Sequence, residues 1–153
     1  MAHELLNGLS QPEVEQMLEL GTKLIVPSGT FLFRLGDPAD RLFLIERGRI
    51  RLSLPMQIRG QQEDILVEER SAGQTTGWST LIPPYRFTLN ASAQIETEVI
   101  ALPREALREY LVAHPVAGQK ITMNLAAVIG HRLQLFQTMW LREIQRAVEV
   151  RSA

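Results

Sequence analysis

The feature that most constrains this chain is a long run of alternating apolar and polar residues that turn signals break at short intervals. The alternation covers residues 23–54, and its breaks fall at residues 27–29, 36–38 and 47–48, which contain proline or glycine. An alternation with period two places apolar side chains on one face of a strand. Short strands separated by turns in this way are typical of a β-sandwich or barrel. The pattern therefore predicts a mostly β fold.

The alternation continues beyond this run. Residues 59–61, Arg-Gly-Gln, separate two strand-like segments and are typical of a hairpin turn. We expect a β-roll over residues 22–102. Its last long strand would carry seven alternate residues on one face: Leu89, Ala91, Ala93, Ile95, Thr97, Val99 and Ala101.

Helical patterns flank the predicted roll. Ser10 and Glu13 fit a capping box, with Pro12 in the first turn, and they predict a helix over residues 11–20. A second short helix is predicted over residues 104–113, and it would stop before the His114-Pro115 pair.

A long helix is predicted over residues 116–150, where no proline occurs. At 1.5 Å per residue it would be about 50 Å long, which exceeds what one domain of this size covers. Its apolar stripe therefore predicts a homodimer in which part of the helix packs on a second chain. The alternative is a helix folded back on its own roll. The predicted dimer interface consists of Ala126, Ile129, Leu133, Phe136 and Trp140.

Composition limits the function classes. The 153 residues predict a single domain over residues 1–153, and the net charge of −1 gives no overall bias toward nucleic acid or an anionic membrane. The chain has no cysteine, which excludes thiol catalysis, disulfides and cysteine-ligated zinc and is compatible with the cytoplasm. No basic leader and no apolar run long enough for a membrane span is present, so we expect a cytoplasmic protein without a membrane partner.

The order of these segments resembles the cyclic-nucleotide-binding domain of the Crp/Fnr regulators over residues 18–150. The segments that carry the resemblance are "VPSGTFLFRLGDPADRLFLIERGRIRL", "EERSAGQTTGWSTL", "IETEVIALPREALREYLVAHP" and "HRLQ". The resemblance implies a double-stranded β-helix, or jelly-roll barrel, with flanking helices and a long C-terminal dimerisation helix. Glycines stand at matching turns: Gly29, Gly36, Gly48, Gly60, Gly73 and Gly77.

The resemblance also implies a phosphate-binding cassette. In the family, a Gly-Glu pair begins a short helix whose backbone N–H groups face the cyclic phosphate. The glutamate accepts a hydrogen bond from the ribose, an arginine a few residues later pairs with the phosphate, and a serine or threonine follows. A residue of the long helix contacts the base. Cyclic AMP or cyclic GMP is the ligand this cassette would take.

This chain departs from that pattern. Gly77 matches the glycine, but Trp78 stands where the family has glutamate. The alternation of the next strand puts Phe87 at the arginine position and Thr88 at the serine or threonine position. A register shifted by one residue, with a bulge at the neighbouring prolines, puts Arg86 there instead. The candidate ligand-binding residues are Gly77, Trp78, Ser79, Arg86, Phe87, Thr88 and, on the long helix, Gln137.

Three hypotheses for the function follow. The first is a regulatory or sensor domain with a degenerate cassette, which signals through its dimer and an unidentified protein partner. The second is a functional cyclic AMP or cyclic GMP sensor that uses Gly77, Arg86 and Thr88. The third is a ligand-free protein-interaction dimer whose pocket Trp78 fills.

Other classes have less support. No catalytic dyad stands out, and Ser79 lacks the closing glycine of a nucleophile elbow. His3, His114 and His131 lack the spacing of metal ligands, so no metal site is expected. The printed chain ends at Ala153 without the helix-turn-helix that Crp/Fnr transcription factors carry, so we expect no DNA partner.

Overall fold

The computed structural model describes residues 2–152, and these residues form eight strands, three α-helices and two short 3₁₀ turns. The 3₁₀ turns span Glu4–Leu6 and Trp78–Leu81. The helices are α1 (Gln11–Glu19), α2 (Arg104–Ala113) and α3 (Pro115–Ser152). The strands are β1 (Thr22–Val26), β2 (Phe31–Phe33), β3 (Arg41–Arg47), β4 (Arg49–Ile58), β5 (Gln61–Ser71), β6 (Thr75–Thr76), β7 (Asn90–Ala93) and β8 (Thr97–Pro103).

The strands form two four-stranded antiparallel sheets, so the predicted mostly β, jelly-roll fold is confirmed. The strand orders are β1-β8-β3-β6 and β2-β7-β4-β5. Both sheets contribute to one apolar core, in which Phe43 and Ile45 of the first sheet meet Ile50 and Leu52 of the second. The hairpin predicted at Arg59-Gly60 joins β4 to β5, and both turn residues have positive φ.

A second core lies on the outer face of the first sheet. Leu42 and Leu44 of β3 point away from the inter-sheet core and pack with Met17 of α1, Leu107 of α2 and Ile121 of α3. Strand β3 is therefore buried on both faces, which explains its nearly continuous apolar sequence. The helices are fixed against the roll in this way, and α3 reaches the cassette region.

The predicted single strand from residue 89 to residue 101 is wrong. The chain bends at residues 94–96, so β7 belongs to the second sheet and β8 to the first. Ile95 lies at this corner and is 48% exposed. The alternation passes through the corner because β7 and β8 both direct their apolar side chains into the same inter-sheet core.

Helix α1 begins with the predicted capping box. The backbone N–H of Ser10 donates to the Glu13 carboxylate at 2.9 Å, and the Glu13 N–H donates to the Ser10 hydroxyl at 3.4 Å. The helix ends at Glu19, one residue before the predicted end. Its single buried side chain, Met17, anchors it to the outer core.

Helix α3 has 38 residues, which corresponds to about 57 Å. It begins at Pro115 and reaches Ser152, slightly longer than the predicted 116–150. Its N-terminal part buries Ala117, Ile121 and Leu125, whereas residues 133–151 contain no buried side chain. None of the helices in residues 2–152 combines the length and apolarity needed to cross a bilayer.

Candidate ligand-binding site

The candidate site begins at a tight turn after β6. Gly77 has φ = 87°, a conformation that residues with a Cβ rarely adopt. A Cβ at this position would lie 3.2 Å from both the Arg41 carbonyl oxygen and the Phe43 ring. Glycine is therefore required at this turn for conformation and for space. The turn leads directly into the 3₁₀ turn that starts at Trp78.

The 3₁₀ turn is tied to the roll and to α2. The Thr80 hydroxyl donates to the Arg41 carbonyl at 2.7 Å, and Arg104 Nε of α2 donates to the Thr80 carbonyl at 2.8 Å. Ser79 and Thr80 are buried, so Ser79 is a packed turn residue in this structure. Trp78 is half-buried and packs against the outer core. Cassette, roll and α2 thus form one connected unit.

Pairing with the β2–β3 loop fixes the orientation of the next segment. The Ala39 N–H donates to the Tyr85 carbonyl at 2.8 Å, and the Phe87 N–H donates to the Asp37 carbonyl at 3.0 Å. This pairing turns Phe87 inward, where it is 6% exposed. Its ring stacks on Phe33 with centroids 3.7 Å apart and planes 11° apart.

Arg86 points the other way. Its side chain is exposed, and Nη1 donates to the Gly36 carbonyl at 3.0 Å. The register in which Arg86 faces the pocket is therefore not the one adopted. Phe87 occupies the inward position, and the one-residue choice that the sequence left open is decided by geometry.

Two cavities lie beside the cassette, and four residues border both: Trp78, Thr88, Leu89 and Arg132. The inner cavity, under the Gly77 turn, has a volume of about 20 Å³. The outer cavity, between the roll and α3, has a volume of about 320 Å³. The inner cavity is also lined by Phe33, Leu52, Thr76, Gly77, Ser79 and Phe87, and the outer one by Leu54, Ile129, Leu133 and Phe136.

Gln137 is not brought to either cavity. It is exposed on α3, and the cavity lining on this helix comes from other residues. A contact of Gln137 with a ligand therefore stays a prediction that these two cavities do not support. The polar residue that α3 does direct into the site is Arg132, one helical turn earlier than Phe136.

Arg132 is the end of a buried chain of ion pairs. Its Nε donates to the Glu68 carboxylate of β5, which also accepts from Arg70 Nη1 at 2.9 Å. Arg70 in turn binds the Glu4 carboxylate and donates from Nε to the Thr75 carbonyl at 3.0 Å. The chain of charges joins α3 to β5 and to the N-terminal 3₁₀ turn.

The environment of Arg132 is desolvated. The residue is 6% exposed, and its guanidinium carbon lies 5.9 Å from the centroid of the Trp78 ring. Burial lowers the pKa of the Arg132 guanidinium, and the Glu68 carboxylate partly offsets this effect. A cation held in this way interacts strongly with any acceptor that enters the cavity, because little water screens it.

The sequence prediction missed Arg132, although a signal was present. Arg132 lies three residues after Ile129 and four before Phe136, which places it within the apolar stripe of the helix. A cation in such a stripe indicates a buried partner, here Glu68. The partner itself lies 64 positions away along the chain, and the local pattern does not identify it.

A comparison with protein families settles the classification. The family model for the cyclic nucleotide-binding domain matches residues 23–114, which include all of the roll except Thr22, and α2. This chain belongs to the cyclic nucleotide-binding domain family. Membership agrees with the two-sheet roll, the Gly77 turn and the following helices.

Several known proteins resemble this cyclic nucleotide-binding domain. Glutaminase 1 of Bradyrhizobium diazoefficiens is 28% identical over 84% of the chain, and the match spans 20% of that protein. The cyclic AMP receptor protein of Thermus thermophilus is 28% identical over 85% of the chain and 57% of the relative. The chain thus spans between a fifth and somewhat over half of the length of these relatives.

A solved structure supports the fold. The catabolite activator protein of Thermus thermophilus superimposes with a TM-score of 0.75 at 26% sequence identity, covering 93% of this chain and 63% of that one. The resemblance to Crp/Fnr regulators that the sequence motifs indicated is therefore confirmed. Within residues 2–152, no cluster of three or more histidine, aspartate or glutamate side chains could hold a metal ion.

Proposed function

We propose that this cyclic nucleotide-binding domain is a regulatory or sensor module with a degenerate phosphate-binding cassette, and that it signals through its dimer and contacts with a protein partner. The membership in the family and the Crp-like relatives support the regulatory role. The stack of Phe87 on Phe33 is the observation on which the degenerate cassette depends.

The inward position of Phe87 removes the strongest interaction that a cyclic phosphate would need. An arginine at this position would pair with the phosphate, whereas a phenyl ring offers no donor. Trp78 likewise offers no acceptor to a ribose hydroxyl. The inner cavity of about 20 Å³ leaves no room for a phosphate under the Gly77 turn.

The energetic consequence can be bounded. A hydrogen bond to a charged group contributes about 1.5–3 kcal/mol, and two are missing here. The expected loss of affinity for a cyclic nucleotide is about 10²–10⁴-fold, because 1.4 kcal/mol corresponds to a factor of ten.

A homodimer would provide the output of the module. Residues 133–151 of α3 extend with exposed apolar side chains, among them Leu133 at 58% and Trp140 at 66% exposure. Large apolar side chains in a continuous stripe favour pairing with a second helix. We place the Ala126, Ile129, Leu133, Phe136 and Trp140 face in that interface.

We further propose that the domain acts in the cytoplasm, without catalysis, membrane contact or sequence-specific DNA contact. The match to glutaminase 1 covers one fifth of that enzyme, which is compatible with a shared regulatory domain. The C-terminal residues 116–153 carry five lysine and arginine residues against two acidic ones, a small and scattered excess.

Isothermal titration calorimetry with cyclic AMP and cyclic GMP tests the cassette. We expect no saturable binding of either nucleotide in the micromolar range. Saturable micromolar binding that is lost in Arg86→Ala would contradict the proposal and favour the functional sensor. Such a result would require residues 85–87 to change register on binding. Light scattering on the same samples tests the homodimer.

A further inference from the structure

A separate cavity, which we call the N-terminal cavity, lies across the Arg132–Glu68 ion pair from the cassette. Residues 2–7, β5 and α3 form most of its wall, and its volume of about 820 Å³ falls within the range of small-molecule sites, about 300–1,000 Å³. None of its fourteen lining residues belongs to residues 77–88 or to the predicted dimer face. Glu68 lines this cavity, whereas Arg132 borders the two cavities beside the cassette, so the ion pair separates the sites.

His3 supplies the observation that points to a ligand. It is 5% exposed and lines the N-terminal cavity. Its Nε2 lies 3.3 Å from the Glu46 carboxylate, and because a carboxylate only accepts hydrogen bonds, Nε2 donates and Nδ1 of the neutral ring is an acceptor. This Nδ1 is the one buried side-chain nitrogen or oxygen of residues 2–152 that has no hydrogen-bond partner. Buried polar atoms are nearly always paired, so Nδ1 indicates a donor that the chain itself does not supply.

Asn124 adds a second acceptor to the same end of the cavity. Its Nδ2 donates to the Leu5 carbonyl and to the Asn7 carbonyl, both at 2.9 Å, and these bonds hold the amide against the N-terminal turn. With both N–H groups used, the side chain of Asn124 can offer only its Oδ1 to the cavity, and an amide oxygen only accepts. This end of the cavity therefore matches a group that carries several N–H donors.

The charges of the wall favour a cation. Three carboxylates line the cavity, those of Glu4, Glu68 and Glu69, against one arginine and no lysine. The arginine, Arg70, is 4% exposed, and its three nitrogens already donate to a backbone carbonyl and to two of these carboxylates. Glu69 is exposed and takes part in no ion pair within residues 2–152. The wall therefore offers an anion no free cation, whereas it offers a cation an unpaired carboxylate.

The rest of the wall is suited to a hydrocarbon chain. Ala127, Val128 and Leu135 of α3 line it together with Val67 of β5. The lining residues of α3, from Asn124 to Leu135, extend about 16 Å along the helix axis. A short alkyl chain against these side chains leaves water without losing a hydrogen bond. The cavity thus combines a donor-seeking, acidic end with an apolar length of helix.

We propose that the N-terminal cavity binds a small primary aliphatic amine, with its ammonium group on His3 Nδ1 and Asn124 Oδ1 and its alkyl chain along the apolar side chains of α3. An ammonium group has three N–H donors and no acceptor, which is what two acceptors in an acidic wall require. The ligand would join the N-terminal turn to α3 beside the buried chain of ion pairs. The site goes beyond the proposed function and does not depend on the state of the cassette.

The test uses hexylamine as the probe and 1-hexanol as its neutral match of equal chain length, each titrated into the full chain by calorimetry at pH 7. We expect saturable binding of the amine and about tenfold or more weaker binding of the alcohol, because hydrogen bonds from a charged donor are the stronger ones. Equal affinity for the two compounds, or no saturable binding of the amine, would overturn the proposal.

The histidine rings report where the amine binds. The chain has three histidines, and long-range proton–nitrogen correlation spectra of a ¹⁵N-labelled sample distinguish Nδ1 from Nε2 in each ring. Hexylamine should shift the Nδ1 signal of His3, because this nitrogen gains a hydrogen bond. His114 does not line the cavity and should keep its signals. Binding that leaves the His3 signals in place would contradict the site.

A pair of tryptophan variants tests the position along α3. Ala127 is exposed and lines the cavity, so Ala127→Trp should fill the space with little strain and should weaken hexylamine binding about tenfold or more. Met123→Trp introduces the same side chain one turn earlier, at an exposed position outside the lining, and should leave the affinity unchanged. Equal affinities in the two variants would place the amine elsewhere.

A pair of glutamine variants tests the charge. Glu69→Gln should weaken hexylamine binding about two- to fivefold, as expected for an exposed carboxylate near a cation. Glu63→Gln removes the same charge from an exposed position of the same strand outside the cavity and should have no effect. The same loss in both variants would mean that the amine responds only to the net charge of the protein.

Titration of cyclic AMP and cyclic GMP with and without hexylamine separates this site from the cassette. If neither the amine nor a nucleotide binds, the amine site is overturned and the proposed function stands. If a nucleotide binds in the micromolar range and the amine stays bound, the degenerate cassette is refuted and the amine site is supported. Displacement of the amine by a nucleotide would place the amine at the cassette and would refute the N-terminal site.

Discussion

The Phe87 ring stacks on the Phe33 ring, with the ring centroids 3.7 Å apart and the ring planes 11° apart. Phe33 also contacts Phe43 at 6.0 Å, so three aromatic rings from β2, β3 and the segment before β7 close this end of the roll. Phe87 therefore belongs to the core of the roll, and the function proposed above also places it at the arginine position of the cassette. The inferred loss of phosphate binding is linked to a gain of apolar packing.

Phe87→Ala should lower the free energy of unfolding by about 3–5 kcal/mol, because it removes a buried ring and leaves a cavity beside Phe33. Urea unfolding followed by circular dichroism measures the change. Thr88→Ala is the matched control at the next position, which is exposed, and it should change stability by no more than about 0.5 kcal/mol. A similar small effect for both variants would show that Phe87 is not a core residue.

The inward orientation of Phe87 could be predicted from the sequence. Counting back by twos from Leu89, whose side chain is buried, places Phe87 on the inward face. The sequence did not settle whether a bulge would bring Arg86 inward instead. That choice depends on the pairing of residues 85–87 with residues 36–39, a contact across about fifty positions that no local pattern encodes.

The corner at residues 94–96 shows a different limit. The alternation of apolar and polar residues indicates which face of a strand is buried. Both β7 and β8 bury this face against one core. A bend that preserves the face leaves the alternation intact. Helix boundaries were easier to predict from the sequence, because capping residues and prolines mark them directly, as Ser10 and Pro115 do. The chain of ion pairs could not be predicted from the sequence, since Glu4 lies 66 positions from Arg70 and Arg132 lies 64 positions from Glu68.

Glu68→Gln tests the buried ion pairs. The change leaves Arg70 and Arg132 facing each other without the carboxylate between them, and we expect a loss of about 3–5 kcal/mol in the free energy of unfolding. The neighbouring Glu69 is exposed and is the matched control. Glu69→Gln should stay within about 0.5 kcal/mol of the unaltered protein in the same urea titration. Equal small effects would mean that the chain of charges does not stabilise the fold.

Introducing an acid into the apolar stripe of α3 tests the dimer. Trp140→Glu should shift the measured mass from that of a dimer to that of a monomer, because the introduced charge would be desolvated between two paired helices. Multi-angle light scattering after gel filtration measures the mass. Thr138→Glu places the same acid on the other side of the helix, where the side chain is exposed, and should leave the mass unchanged. A single-chain mass for the unaltered protein would refute the dimer.

The contact between α2 and α3 depends on a glycine. A Cβ at Gly118 would lie 2.7 Å from the Leu111 carbonyl oxygen, a backbone atom that cannot move without shifting α2. Gly118→Ala should therefore lower the free energy of unfolding by about 1–3 kcal/mol. Gly130 of the same helix has no atom within 4 Å of the corresponding position. Gly130→Ala should raise stability by about 1 kcal/mol, since alanine favours a helix, and thermal unfolding of the two variants measures both signs.

The pair between Lys23 of β1 and Glu98 of β8 predicts a pH dependence of stability. Lys23 Nζ lies 2.9 Å from Glu98 Oε1, and the hydrogen bond from Lys23 lowers the pKa of Glu98. A carboxyl whose pKa is lower in the folded state stabilises the protein above its unfolded pKa, about 4.3, and this contribution is lost as the pH falls through the folded pKa. The difference in unfolding free energy between the unaltered protein and Glu98→Gln should therefore be largest near pH 7 and should vanish in acid.

Lys23→Met should produce a smaller loss near neutral pH than Glu98→Gln, because Arg47 Nε also lies 3.4 Å from Glu98 and helps to lower its pKa. The double variant should lose no more than Glu98→Gln alone, because that substitution already removes the interaction with Lys23. Urea titrations of the four proteins at several pH values between 7 and 3 measure the coupling directly. A difference between Glu98→Gln and the unaltered protein that persists at the lowest pH would show that Glu98 stabilises the roll by packing instead of by its charge. Additive losses in the double variant would show that Lys23 is not the group that lowers the pKa of Glu98.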